Sequence, residues 1–350
     1  MEINIDLLKR LCETPGIPGR EEQVRTLVRR EIAPLVDAVA VDALGNVVAT
    51  KKGRGGPRVM LAAHMDEIGF MVRHIDDQGF VRLQNVGGFD ARVLAAQRVL
   101  IHTRDGSALR GALQPEAKPI HVLQPDEVKP FKITDYYVDL GLPAEEVRRR
   151  VDIGDMVTLD RSLERVGNTV LSKALDDRVS IFIMIEALRA LREHQVEVVA
   201  VATTQEEVGL RGAQTAAFGV DPDVAVALDV TLAGDIPGFA PHEQVSRLGD
   251  GVAIKVFDSS HIPNHKLVRH VRDVAERHGI AYQLEVLPRG GTDAGAMQRT
   301  RAGVPAITLS TPTRYLHTVN EMAHVDDIQA AIQLVARYLE EAHTGDYRLG

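Results

Sequence analysis

The chain has 350 residues, 45 % apolar and 26 % charged, enough for one large globular domain or two moderate ones. A net charge of −8 with no basic block argues against a nucleic-acid partner. Cys12 is the only cysteine, so an internal disulfide and a thiolate zinc site are both excluded, as suits a reducing cytoplasm. The first residues are acidic, unlike a signal peptide, and no apolar run approaches the roughly 20 residues that span a bilayer. The expectation is a cytoplasmic chain with no membrane partner.

An amphipathic helix is predicted to open the chain and to break at Thr14-Pro15-Gly16-Ile17-Pro18-Gly19, where proline and glycine end helices. A second helix follows, with Glu21 and Glu22 in its first turn, where carboxylates suit the helix dipole. Strands are predicted over Val39–Val41 and Val47–Thr50 about an Ala43–Asn46 turn, then over Val59–Ala63, ending at His64. From about residue 67 to 161, short alternating runs (Phe70–Arg73, Phe80–Leu83, Arg98–His102, Ala108–Leu113) are separated by Gly, Asp and Pro turns and read as a small β-rich domain. Beyond about 170, helices Val179–Arg192, Arg211–Phe218, His265–His278 and Val325–Ala342 alternate with strands Glu197–Thr203, Ala225–Asp229, Ala281–Val286 and Ala306–Ser310. That alternation marks an α/β sheet. The chain therefore reads as one discontinuous α/β domain, residues 1–66 and 162–350, interrupted by a β-rich insertion at 67–161.

Strand ends carry the chemistry. His64-Met65-Asp66, Asp176-Asp177, Glu206-Glu207 and Asp229 each follow an apolar run, and His317 follows the last strand. Ligands of open α/β sheets bind at the carboxyl ends of strands. Adjacent carboxylates there are costly to desolvate, and a metal pair compensates them most economically. Two imidazoles and several carboxylates suit a hydrolytic site of two divalent ions, zinc or cobalt, with manganese acceptable to the carboxylates. In such a site Asp176 can bridge, His64 and Asp229 complete one ion, and Glu207 and His317 the other. Glu206 is then left as general base, and Asp66 is placed to accept the other ring N–H of His64. Spacing alone does not say which glutamate binds metal. Asp235 rivals Asp229, and His324 and His261 rival His317. Asp177 is expected to cap the following helix or to support the site. The loop Gly290-Gly291-Thr292-Asp293-Ala294 reads equally as a plain turn or as a frame for substrate.

The run Ala63-His64-Met65-Asp66-Glu67-Ile68-Gly69 resembles the glutamyl and deblocking aminopeptidases, the co-catalytic metallo-aminopeptidases that form TET particles. Ala174-Leu175-Asp176-Asp177-Arg178, Thr204-Gln205-Glu206-Glu207-Val208-Gly209 and Gly290–Ala294 match that family's other signatures in order, from about residue 5 to 340. Val86-Gly87-Gly88-Phe89-Asp90 extends the likeness into the insertion. The resemblance implies a mixed-sheet α/β/α metallopeptidase domain with an inserted β-barrel-like oligomerisation domain. It implies His64 and Asp229 on one ion, Glu207 and His317 on the other, Asp176 bridging and Glu206 as base. It further implies peptide substrates with a free N-terminus and dimers assembling into a tetrahedral dodecamer. Two departures stand out: Phe89 where relatives carry Trp, and Thr318-Val319-Asn320-Glu321 where many carry Ser-Pro; neither is expected to touch a ligand.

The expected activity is peptide-bond hydrolysis at the N-terminus. Two other classes compete: a metal-independent glycosidase using Glu206 and Glu207 as its carboxylate pair, and a non-catalytic self-assembling scaffold. Lys255 and Arg289 are candidates for attracting acidic side chains, with a structural role favoured for each.

Overall fold

The computed structural model describes residues 3–119, 121–122 and 130–350. They form two compact units, residues 1–67, 162–316 and 320–350 in the first and 68–161 with 317–319 in the second. The sequence placed 317–319 in the α/β part. The difference has a packing reason, since Val319 is buried in the second unit's apolar core.

The first unit is built on an 11-stranded mixed sheet among the described residues. Its centre is parallel, with Glu197–Thr203, Arg58–His64, Val224–Leu232 and Ala306–Arg314 side by side in that order. Val47–Lys51 and Ala38–Val41 extend one flank antiparallel. Glu321–His324, Thr169–Ser172 and Glu164–Val166 extend the other. Val252–Phe257, absent from the sequence-based expectation, pairs with Ala306–Arg314 and Tyr282–Val286.

Both faces of the central strands are covered, which makes them continuous apolar runs rather than alternating ones. Val59, Leu61 and Ala63 enter a core shared with helices Ile5–Glu13, Leu175–Ala190, His265–His278 and Val325–Glu341. Met60 and Ala62 point the other way, into a core shared with Arg211–Val220 and Asp293–Gln298. Small residues let the helix Arg211–Val220 approach closely. A Cβ at Gly212 would lie 2.4 Å from both Asn46 Oδ1 and the Thr204 carbonyl oxygen. The expected strand ending at Asp229 runs on to Leu232, because Ala306–Arg314 continues beside it and partners its backbone as far as Leu232 opposite Thr313. Asp229 therefore lies within a strand rather than at its end.

The second unit is a closed six-stranded antiparallel barrel among the described residues, in the order Gly69–Ile75, Val81–Val86, Tyr136–Asp139, Ala108–Pro115, Gln97–His102 and Met156–Leu159. Phe70, Val72, Val81, Val99, Ile101 and Val138 fill its core. Phe89 stacks on Phe70 with ring centroids 4.5 Å apart. Among the described residues, no helix is long and apolar enough to cross a membrane.

Candidate active site

The parallel register gathers the first unit's candidate residues. Thr203 lies opposite His64, and the register that sets Ala227 opposite Ala62 carries Asp229 to the level of His64. His64, Asp176 and Asp229 each present a ligand atom within 4.8 Å of the others, all three buried. An oxygen of Asp176 and one of Glu207 also lie within 4.8 Å of each other. His64 Nε2 stands 3.1 Å from Asp176 Oδ1 and 4.0 Å from Glu206 Oε2. His317 belongs to the second unit, where its Nδ1 lies 2.8 Å from the Gly88 carbonyl oxygen. Among the rivals, Asp235 is engaged by the Arg314 guanidinium at 3.0 and 2.6 Å, and His261 by Asp258 at 2.9 Å.

The Asp66 carboxylate has a different task from the one expected. His64 Nδ1 lies 3.0 Å from the Asp66 backbone carbonyl and 3.7 Å from its carboxylate. A carbonyl can only accept, so Nδ1 carries a hydrogen, while Nε2 faces the Asp176 carboxylate and would present its lone pair only to a cation bound there. The carboxylate instead accepts the N–H groups of Glu206 at 3.0 Å and Glu207 at 3.1 Å. Two adjacent backbone donors match two carboxylate oxygens better than one ring donor does.

Backbone angles at both Asp176 and Asp177 are non-helical, so the regular helix begins only after Asp177. Asp177 Oδ2 accepts the His64 N–H at 3.2 Å. Arg178, fully buried, donates to the carbonyls of Leu11, Thr14, Gly16 and Met65. It thereby ties the Pro-Gly break near the N-terminus to the strand end that carries His64. Glu321 was expected to touch no ligand, yet its Oε2 accepts the Asp176 N–H at 3.0 Å.

Two further residues lay outside the expected site. Asp293 is buried, with Oδ2 2.6 Å from the Thr203 hydroxyl, and burial pushes its carboxyl up to about 6. Its place in the Gly290–Ala294 run was the only sequence signal for it. Glu21, marked by sequence only as a helix-start carboxylate, is buried and accepts the Gln205 N–H at 3.2 Å.

The cluster's electrostatics favour a cation. Burial, then repulsion from neighbours, pushes the carboxyls of Asp177, Glu206 and Asp229 well above the carboxylate range. Burial also weakens the His64 imidazole as a base. The Asp176 contact and the charges of Glu206, Asp177 and Asp66 outweigh this and hold it well above its ordinary value. Without another cation, protons neutralise this group of acids. One imidazole and several carboxylates at such spacing form a donor set of the kind that holds zinc or cobalt, so the residues fit divalent ions. Lys255 is wholly buried and ion-paired to Glu285, which in turn accepts the Ser310 hydroxyl, so its charge is structural.

Residues 45–334 match the family model of the M42 glutamyl aminopeptidases. The chain is 36 % identical over 359 residues to the lysyl aminopeptidase of Pyrococcus furiosus, covering 99 % of each protein. It is similar to the structure of an aminopeptidase from the archaeon Desulfurococcus kamchatkensis, with TM-score 0.93 and 41 % identity over 96 % of this chain and 94 % of that one. It is also similar to the TET1 peptidase of Pyrococcus horikoshii, which can assemble into a tetrahedron or a large octahedral shell, with TM-score 0.84 and 33 % identity over 96 % and 99 % of the two chains. An α/β sheet with an inserted barrel, acids gathered beside His64 at the end of its strand, and a family match over most of its length lead to one conclusion: this chain belongs to the M42 glutamyl aminopeptidase family.

Proposed function

We propose that the chain is a metal-dependent aminopeptidase that releases N-terminal residues from peptides with a free α-amino group, using Glu206 as general base. The observation that carries the proposal is the buried convergence of His64, Asp176 and Asp229, with Glu206 4.0 Å from His64, in a member of an aminopeptidase family. His64, Asp176 and Asp229 would hold one divalent ion. Asp176 and Glu207, with His317 assigned from the family resemblance, would hold a second. Zinc and cobalt suit this donor set best, with manganese an alternative. When bound, such ions polarise the scissile carbonyl and lower the pKa of the attacking water.

Glu206 takes the proton from that water and returns it to the leaving amine. In the metal-free protein, burial raises the proton affinity of Glu206. Adjacent residues project in different directions, so Glu207 can serve as ligand while Glu206 faces substrate. Asp66 fixes both by holding their N–H groups. On its similarity to the TET1 peptidase, we also assign the chain a homo-oligomeric state, with the barrel unit as the assembly domain and the cytoplasm as its location.

The test is a panel of aminoacyl chromogenic substrates, free and N-acetylated, after metal removal and stepwise return of single ions. Release from free-amine substrates alone, abolished by chelation and restored by zinc or cobalt, is expected. Cellulose hydrolysis that survives chelation would establish the glycosidase instead. Failure to take up metal, with no amino acid released, would leave the scaffold.

A further inference from the structure

The turn after the strand Glu197–Thr203 is held in an unusual way. Four consecutive N–H groups, Thr204 to Glu207, are each taken by a side chain from elsewhere in the first unit. Thr204 donates to Asn46 Oδ1 at 2.9 Å, Gln205 to Glu21 Oε1 at 3.2 Å, and Glu206 and Glu207 to the two oxygens of Asp66. The turn needs such anchors. Gln205 and Leu210 adopt left-handed backbone angles, φ +56° and +57°, which side-chain-bearing residues enter at a cost. A backbone of that kind persists only where its surroundings over-determine it.

The anchors are themselves fully engaged. Asn46 has no exposure, and its Nδ2 donates to Asp42 Oδ2 at 2.6 Å and to the Gly212 carbonyl at 3.1 Å. Glu21 Oε1 also accepts the Gly19 N–H at 2.8 Å. Arg25 joins the two anchors, with Nε 2.8 Å from the Gly45 carbonyl and Nη2 4.0 Å from Glu21 Oε2. Gly45 has φ +98°, and a Cβ there would lie 2.4 Å from the Arg25 guanidinium, so this junction requires glycine.

We propose that Glu21 and Asn46, two residues that touch no proposed metal ligand side chain, are positioning residues for catalysis: through the N–H groups of Gln205 and Thr204 they set where Glu206 and Glu207 point. The N-terminal Pro-Gly loop and the Ala43–Asn46 turn are thereby part of the active-site frame. The inference rests on Glu206 acting as base and Glu207 as ligand. Its specific content is that Glu21 acts as a hydrogen-bond acceptor of correct reach rather than as a charge.

Two substitutions separate reach from charge in the metal-loaded, full-length protein. Glu21→Gln keeps an oxygen at the same reach and removes the charge. Glu21→Asp keeps the charge and withdraws the acceptor by one methylene. The expected result is a kcat for E21D lower by about 10- to 100-fold, the scale of a small misplacement at a reacting centre. KM should stay within about twofold, both metals should be retained, and E21Q should stay within about threefold of wild type. Faster amide hydrogen exchange at Gln205 in E21D but not in E21Q is the readout independent of turnover. Wild-type kcat in both variants, loss in both, or loss in E21Q alone overturns the proposal. Glu206→Gln, measured alongside, tests the underlying assignment separately. If E206Q stays active, the base assignment fails, while the amide exchange at Gln205 still decides whether Glu21 anchors the turn.

Discussion

Substituting Asp66 by Asn distinguishes the task the structure gives this residue from the one its spacing suggests. Asp66 has no exposure, and its two oxygens accept N–H groups at 3.0 and 3.1 Å. Asn offers one oxygen and one NH2, so one of the two backbone donors would face another donor. Hydrogen bonds to a charged group contribute roughly 1.5–3 kcal/mol, and a stranded buried donor costs roughly 1–3 kcal/mol. The expected loss is about 3–6 kcal/mol. Relief of repulsion on Glu21, whose carboxyl is pushed up to about 7 by burial and then by Asp66, works the other way and favours the lower end. At roughly 1–2 °C per kcal/mol for a chain of 350 residues, the apparent Tm falls by on the order of 5 °C. The assay is thermal unfolding of the chelated protein, in which no metal contributes. If Asp66 instead served the metal-bound His64 ring, metal-free D66N would melt with wild type, and the deficit would appear only after metal is restored. A metal-free Tm within about 2 °C of wild type refutes the anchoring role.

Three further outcomes are expected. Glu206→Gln should lower kcat by about 10²–10⁴-fold, the range of a general base, while metal content by elemental analysis stays at the wild-type value; near-normal turnover would remove Glu206 from that role. Gly212→Ala places a Cβ 2.4 Å from Asn46 Oδ1 and the Thr204 carbonyl, both fixed by other bonds, and should cost about 1–3 kcal/mol in denaturant unfolding together with activity. The metal-free protein should lose stability as pH rises. Glu21 goes from 4.5 to about 7 on folding and Asp293 from 3.8 to about 6, so the folded state retains protons that the unfolded state releases. Their stabilisation is complete below about pH 4 and lost as pH climbs to about 7, by roughly 3 kcal/mol for each group. Unfolding of the chelated protein at pH 5 and 7.5 checks the sign, and greater stability at pH 7.5 would contradict it.

The sequence by itself determined the order and identity of the central elements. Val59–Ala63 and Glu197–Thr203 are apolar because both faces of their strands are covered, and that pattern is written in consecutive residues. It also placed His64, Asp176, Glu206, Glu207 and Asp229 after such runs, and parallel pairing then brings His64, Asp229 and the end of Glu197–Thr203 to one level of the sheet. Less was legible where partners are distant in the chain. The extension of the Asp229 strand to Leu232 depends on a neighbour more than 70 residues away supplying its hydrogen bonds. Residues 317–319 go with the barrel because of where Val319 packs. The choice of Asp66 between a ring N–H and two backbone N–H groups was made only when the Gln205–Glu207 turn arrived beside it. Glu21 and Asn46 look locally like a helix start and a turn residue, and each is that as well. Their second partners lie 184 and 158 positions along the chain, a separation that only the tertiary structure closes.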